Sequence, residues 1–185
     1  MQHKGTPRLE TPRLILRRFV PEDAEAAFRH WTSDDEVTRY LTWPTHQTSE
    51  VTEGFIRWVT DGYAAPDSYQ WAIELKLNHA LVGNISAVGC NEAIDAIELG
   101  WVLGRAWWGQ GIMPEAAGAV LRFFFEEVGA NRVWAGHDIE NGKSGRVMEK
   151  IGMRREGTLR AAGRNNRGIV DMAVYGVTRA DWLSK

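Results

Sequence analysis

The sequence predicts a single α/β (α+β) domain built on a strongly twisted, mixed but mostly antiparallel sheet of about seven strands flanked by helices. Three observations carry that expectation. Short apolar runs of strand length alternate with longer stretches of helical periodicity along the chain. Glycine punctuates nearly every junction, at Gly62, Gly89, Gly104, Gly129 and Gly152. One strand–helix–strand succession between Ile97 and Ile139 implies a parallel crossover within a sheet that is otherwise a meander.

Taken in order, residues 1–8 read as a flexible tail, and the domain spans 9–185. Leu9 to Phe19 reads as the first strand, with Leu14 and Leu16 on one face and Ile15 and Arg17 on the other. Pro21-Glu22-Asp23 starts a helix whose apolar stripe is Ala24, Ala27, Phe28 and Trp31. A short helical piece over 34–41 ends before Trp43-Pro44, and a further helix over 49–61 stops at Gly62. Strands over 69–75 and 81–88 form a hairpin, and a strand over 97–103 follows. The longest helix begins near Pro114 and runs to Val128, with Gly129 as its stop. A strand over 132–139, a helix over 143–151 opened by Asn141 and closed by Gly152, and a last hairpin over 153–159 and 169–178 complete the chain.

Composition narrows the class. Hydrophobic residues make up 44% and charged residues 25%, as in ordinary soluble domains. A net charge of −2 offers no general attraction for nucleic acid or an anionic membrane. Cys90 is the single cysteine, so an internal disulfide is excluded, which suits a reducing cytoplasm. No apolar run has membrane-spanning length. No His/Cys/Asp cluster has ligand spacing, so no metal is expected.

The chemistry concentrates between Glu98 and Glu115. An extended stretch ends at Gly104-Arg105, and the glycine-flanked loop Trp108-Gly109-Gln110-Gly111 leads into Ile112-Met113-Pro114-Glu115. Proline and glutamate both suit a first helical turn, where backbone donors are unpaired and the helix dipole is positive. Glycines let an anion approach the backbone there, so the arrangement is a phosphate cradle. A dinucleotide fingerprint would need a third glycine where Pro114 stands, and a P-loop would need Gly-Lys-Ser/Thr; both are absent.

This loop resembles the acetyl-CoA pyrophosphate loop of the GNAT acetyltransferases, Gln/Arg-x-x-Gly-x-Gly/Ala, in the form Trp108-Gly109-Gln110-Gly111-Ile112-Met113. Gly111 matches, whereas Trp108 and Met113 replace the usual first and last residues. In the form Trp-Gly-x-Gly-x-Met-x-Glu-Ala the loop is similar to the RimJ/RimL-like branch, which acetylates ribosomal-protein N-termini. Three further blocks stand in the right order, the first similar to that branch and the others to the family. They are the opening Leu9-x-Thr11-x-Arg13-Leu14-x-Leu16-Arg17, the segment from Asn141 and Ser144 to Lys150, Gly152 and Met153, and the tail with Glu156-Gly157, Asp171, Val174-Tyr175 and Trp182.

The resemblance implies acetyl-CoA as co-substrate and an amine acceptor, with the two brought together in a ternary complex. It places acetyl-CoA against Trp101, Val102 and Leu103, against Trp108, Gly109, Gln110, Gly111, Ile112, Met113, Pro114 and Glu115, and against Asn141, Ser144 and Met148. Acetyl transfer needs a base for the acceptor ammonium, donors for the developing oxyanion and a proton for the leaving thiolate. Glu98 acting through water is the candidate base, His137 the alternative, and Ser144 the proton donor to sulfur. An acetyl-cysteine intermediate on Cys90 would need an activating partner that the sequence does not identify. Most of the basic residues from Arg146 to Arg167 are expected on a solvated surface, with one or two at the CoA 3′-phosphate or at acidic or ribosomal surroundings. The early helical region would line one wall of the acceptor groove; of its rings Trp31, Tyr40, Trp43 and Trp58, one or two are expected to face substrate and more to lie in the core. The acceptor is a protein N-terminus or a small amine, and the assembly a monomer or homodimer. The alternative function is a non-catalytic module that binds or senses acyl-CoA.

Overall fold

A computed structural model describes residues 1–184. Eight strands form one sheet: β1 (Leu9–Glu10), β2 (Leu14–Arg17), β3 (Gln70–Leu75), β4 (Leu81–Asn91), β5 (Ala96–Leu103), β6 (Arg132–Asp138), β7 (Arg154–Asn165) and β8 (Gly168–Thr178). Their order is β1-β2-β3-β4-β5-β6-β8-β7, and only β5 and β6 run parallel. The helices are α1 (Asp23–Ala27), which continues as a π-helical turn to Thr32, α2 (Asp35–Thr38), α3 (Ser49–Gly62), α4 (Ile112–Phe123), α5 (Gly142–Lys150) and α6 (Arg179–Leu183).

The expected seven strands become eight because the first one breaks. Thr11 to Arg13 turn the chain, and β1 folds back on β2 with Leu9 opposite Leu16. Leu14, Ile15 and Leu16 are then all buried, so the expected polar alternation ends in a strand covered on both faces. The segment 1–8, expected as a tail, lies against the sheet instead. Gln2 N–H donates to the Val128 carbonyl, Thr6 Oγ1 to the Ser68 carbonyl and Trp71 Nε1 to the Pro7 carbonyl.

Two cores flank the sheet. On one face α4 and α5 bury Val120, Leu121, Phe124 and Met148 against Trp71, Ile85, Ile97 and Val133. On the other, α1 and α3 bury Ala27, Trp31, Ile56 and Val59 against Ala72, Leu81 and Val102. The alternation expected of β5 is kept: Ile97 and Leu99 join the first core and Val102 the second. α4 begins two residues before Pro114, so the proline is the third helical residue, still among those whose N–H has no helical partner. After Phe123 the helix loosens into a π-helical turn that stops at Gly129, whose φ of 78° is left-handed. The sheet and both helical layers meet at one opening, between β5 and β6.

Candidate functional site

β5 and β6 pair only from Ala96–Arg132 to Glu98–Trp134, and beyond that the two strands part. Gly104 N–H donates to the Val82 carbonyl on β4. By the two-residue period of a strand, the amides of Val102 and Gly100 also face β4, and those of Leu103 and Trp101 face the opening. A cleft of about 390 Å³ occupies it. One wall is Trp101, Val102 and Leu103 with the loop Trp108, Gly109, Gly111 and the helix start Ile112-Met113-Pro114. Across from it stand Asn141, Ser144, Val147 and Lys150 of α5 and its cap, and the mouth is closed by Glu36 to Leu41.

The loop is shaped by backbone rather than bulk. Gly109 and Gly111 have φ of 76° and 74°, and a Cβ on Gly109 would meet nothing within 4 Å. Among the described residues, none of the amides from Gly109 to Met113 donates to a protein acceptor. Five unpaired amides, the last ones at a helix N-terminus, suit an anion. Cations line the same cleft. Lys143 Nζ lies 3.8 Å from the Trp108 ring centroid, and Arg146 and Lys150 follow on α5.

Not every expected cofactor residue lines the cleft. Glu115 turns away to the β1–β2 turn, where it accepts from Thr11 Oγ1 at 2.6 Å and Arg13 Nε at 2.6 Å and so ties down the start of α4. Burial works to raise its carboxyl, but the hydrogen bonds from Thr11 and Arg13 outweigh it and hold the group below its usual range. Gln110 points outward and donates to the Ala106 carbonyl. Met148 is core, 1% exposed. Asn141 lines the cleft and caps α5 by accepting from Ser144 N–H.

The three candidate catalytic residues do not converge. Ser144 lines the cleft, half-buried, with no protein partner recorded for its hydroxyl among the described residues. Glu98 sits just outside the lining, at the last paired position of β5 and beside a register shift of β4 between Ala87 and Gly89. Its carboxylate has no hydrogen-bond or ion-pair partner among the described residues, and burial pushes it above the usual carboxylate range. A Cβ on Gly89 would stand 3.0 Å from its Oε2, so that glycine leaves the carboxylate its space. His137 lies on the opposite face of the sheet, beneath α5. Its Nδ1 donates to the Asp138 carbonyl, and its Nε2 is buried without a partner, with Gly145 of α5 directly over it. The alternative base is therefore shut off from the cleft by α5. Cys90 is near the end of β4, away from the cleft lining, where desolvation and the Glu92 carboxylate push its thiol up to about 12, which disfavours the thiolate a nucleophile needs.

Of the four aromatic rings of the early helical region, with one or two expected at the acceptor groove, Tyr40 lines the cleft. Trp31 is buried in the second core, and Trp58 is 65% exposed on the outer side of α3. What the sequence reading missed is how this wall is held. Asn166, in the β7–β8 turn, donates to the carbonyls of Thr38 and Trp43 and, through its backbone, of Leu41. The Arg39 and Arg167 guanidiniums flank the Tyr40 ring at 5.5 and 5.7 Å, and Arg167 is fixed by Asp138 at 2.9 Å and Glu140 at 2.6 Å. The asparagine in a tight turn was visible as a hairpin signal, but nothing local gave its partner more than a hundred residues away.

A parted parallel strand pair beside a glycine loop at a helix N-terminus makes a cleft suited to a phosphate-bearing ligand such as an acyl-CoA. The model of the acetyltransferase (GNAT) domain matches residues 13–154. YoaA of Bacillus subtilis, named as an uncharacterized N-acetyltransferase, is 31% identical over 94% of this chain and 97% of its own. A GNAT-family acetyltransferase from Bacillus anthracis, solved as a crystal structure, superposes with a TM-score of 0.83 at 30% identity, covering 94% and 99% of the two chains. The fold is shared as well by RimL, an L7/L12 α-N-protein acetyltransferase solved with coenzyme A, at a TM-score of 0.83 and 18% identity over 93% and 98% of the chains. The chain belongs to the GNAT family of acetyltransferases and is an acetyl-CoA-dependent enzyme. That sets aside the non-catalytic alternative.

Proposed function

We propose that this enzyme acetylates a primary amine, a protein N-terminal α-amine or a small-molecule amine, by direct attack on acetyl-CoA in a ternary complex in the cytoplasm. The observation that carries the reading is the row of donors facing one cleft: the amides of Trp101 and Leu103 where β5 leaves β6, and those of Gly109 to Met113 at the head of α4. Acetyl-CoA supplies the acetyl group on a thioester, along with two kinds of anion, a pyrophosphate and a 3′-phosphate. The amides of Gly109 to Met113 bind the pyrophosphate, and Arg146 and Lys150 supply charge for the 3′-phosphate. The Trp101 amide, held by the strand, donates to the developing oxyanion without having to reorganise.

Glu98 takes the acceptor's proton through water, since it stands three residues before the cleft wall begins at Trp101 rather than within it. A carboxyl kept above its usual range by burial is a stronger base than a solvated one. Ser144 Oγ gives a proton to the departing sulfur as the new C–N bond forms and the C–S bond breaks, and solvent reprotonates the serine. Tyr40, between two guanidiniums, forms the acceptor wall.

The test is an acceptor screen with acetyl-CoA, using peptides of varied N-terminal residue, polyamines, amino acids and aminoglycosides, read by free-thiol release and product mass. Release matched by one acetylated amine class identifies the acceptor. Absence of release with every class would overturn the reading.

A further inference from the structure

At the end of the sheet away from the cleft, three side chains of metal-ligating type meet. His3 Nε2 is 2.6 Å from Glu92 Oε1, Cys90 Sγ is 3.1 Å from the same oxygen, and Sγ and Nε2 are 3.9 Å apart. They come from three segments: the N-terminal run along the sheet, the end of β4 and the turn that follows it. Among the described residues no other group of three or more such side chains gathers this closely. The sequence reading, which looked for ligand spacing, missed the cluster because His3 is remote in the chain from the other two.

The geometry points to a divalent transition-metal site, for Zn²⁺ by ligand type, formed by His3 Nε2, Cys90 Sγ and Glu92. A nitrogen, a sulfur and a carboxylate oxygen are the ligand set that Zn²⁺ accepts in tetrahedral sites. With Zn–N and Zn–O near 2.0–2.1 Å and Zn–S near 2.3 Å, tetrahedral ligand atoms lie about 3.4–3.6 Å apart. Sγ and Nε2 stand only slightly wider than that. Glu92 stands too close to both, and its side chain, 62% exposed, has room to swing outward by under 1 Å. The remaining position is open to water. The His3 ring is already aimed, because its other nitrogen, Nδ1, is 3.0 Å from the hydroxyl of the buried Tyr69, which also accepts from Lys4 N–H. The hydroxyl can accept from Nδ1–H, the tautomer that leaves Nε2 to the metal. Asp67 adds negative charge near Cys90. A bound ion would pin residues 1–8 to the β4–β5 turn and leave the cleft untouched.

The experiment titrates the reduced, chelator-treated full chain with Co²⁺ and then displaces it with Zn²⁺. The site predicts one equivalent of Co²⁺ with an ultraviolet thiolate-to-cobalt band, intense visible bands of a tetrahedral ion, and loss of both on adding Zn²⁺. Cys90→Ser should remove the ultraviolet band, and Cys90→Ser and Glu92→Gln should each weaken binding at least tenfold. Both residues are exposed and far from the cleft, so acetyl transfer should persist in both variants. Zn²⁺ should also raise the melting temperature of the wild type and not of Cys90→Ser. Absence of a saturable thiolate band, or binding equal in wild type and both variants, would overturn the site.

Discussion

The indole Nε1–H of Trp108 donates to the main-chain carbonyl of Leu103 at 2.7 Å. This one bond ties the glycine loop to the end of the strand that opens the cleft. The unpaired amides of Gly109 to Met113 and the amides of Trp101 and Leu103 are therefore held in fixed relation. Trp108 stands where the family pattern has Gln or Arg, and its ring also carries Lys143 at 3.8 Å. The substitution thus brings a cation to the loop while the tryptophan positions the backbone.

The cradle predicts the effect of Gly111→Asp. With φ at 74° the position disfavours any side chain, and a carboxylate there, its Cβ 3.5 Å from Arg13 Nη2, adds negative charge to the loop proposed to receive phosphate. CoA affinity measured by calorimetry should fall by a hundredfold or more, about 2.7 kcal/mol or greater, with the far-ultraviolet circular dichroism unchanged. Unchanged affinity would remove the loop from the site.

Glu98→Gln separates catalysis from stability. Removing a general base lowers turnover by about 10²–10⁴-fold. The base works deprotonated, so the wild-type rate rises with pH through a pKa above the usual carboxylate range, and the variant loses that limb. The stability sign is opposite to that of a paired acid. A carboxyl whose folded pKa is raised favours the fold while protonated, and that contribution is lost as pH rises through the folded value. At neutral pH the glutamine should therefore raise the melting temperature while activity drops. A variant that is both active and unaltered in pH profile would dismiss Glu98.

Ser144→Ala tests the proton donor. Alanine is the better helix former, so stability should hold or rise slightly. A thiolate with a pKa near 8.5 leaves tolerably well by itself, so the loss should be about tenfold, or about 1.4 kcal/mol of barrier. Rate against pH decides: a deficit that widens at the pH where leaving-group protonation limits turnover supports the role, and parallel curves return Ser144 to the helix.

Glu115→Gln probes the tie between α4 and the β1–β2 turn. The folded carboxyl is held below its usual range, so its contribution is present above the unfolded pKa and is lost as pH falls through the folded one. The variant should lose about 1 kcal/mol at neutral pH, since Arg13 is half-exposed and its pairing is screened. The deficit should close in acid, as followed by urea denaturation between neutral pH and the acid range.

What could be read from the chain was what depends on neighbours in sequence. Gly129 and Gly152 stop helices, Asn141 caps α5, and Gly109 and Gly111 turn β5 into α4, because caps and left-handed turns are local requirements. Period two placed Glu98 and Val102 on one face of β5 correctly. The reading fell short where a partner is distant. Glu115 fits a first helical turn whether it faces an anion or Arg13, and periodicity cannot choose between them. His137 alternates correctly with Ala135, but which helix covers that face is decided by the crossover, and α5 lies over it. The docking of Asn166 on the Tyr40 segment, and of residues 1–8 on the sheet, are likewise tertiary facts with no local signal.

The central claim is that the cleft between β5 and β6 transfers acetyl from CoA to an amine. The most direct measurement is paired: free thiol and acetylated product quantified in the same reaction, for the wild type and for Gly111→Asp, across the acceptor screen. The account predicts equal amounts of CoA thiol and acetylated amine for at least one acceptor class, and loss of both in the variant at acetyl-CoA concentrations that saturate the wild type. Thiol release without acetylated amine, or equal turnover by both proteins, would contradict it.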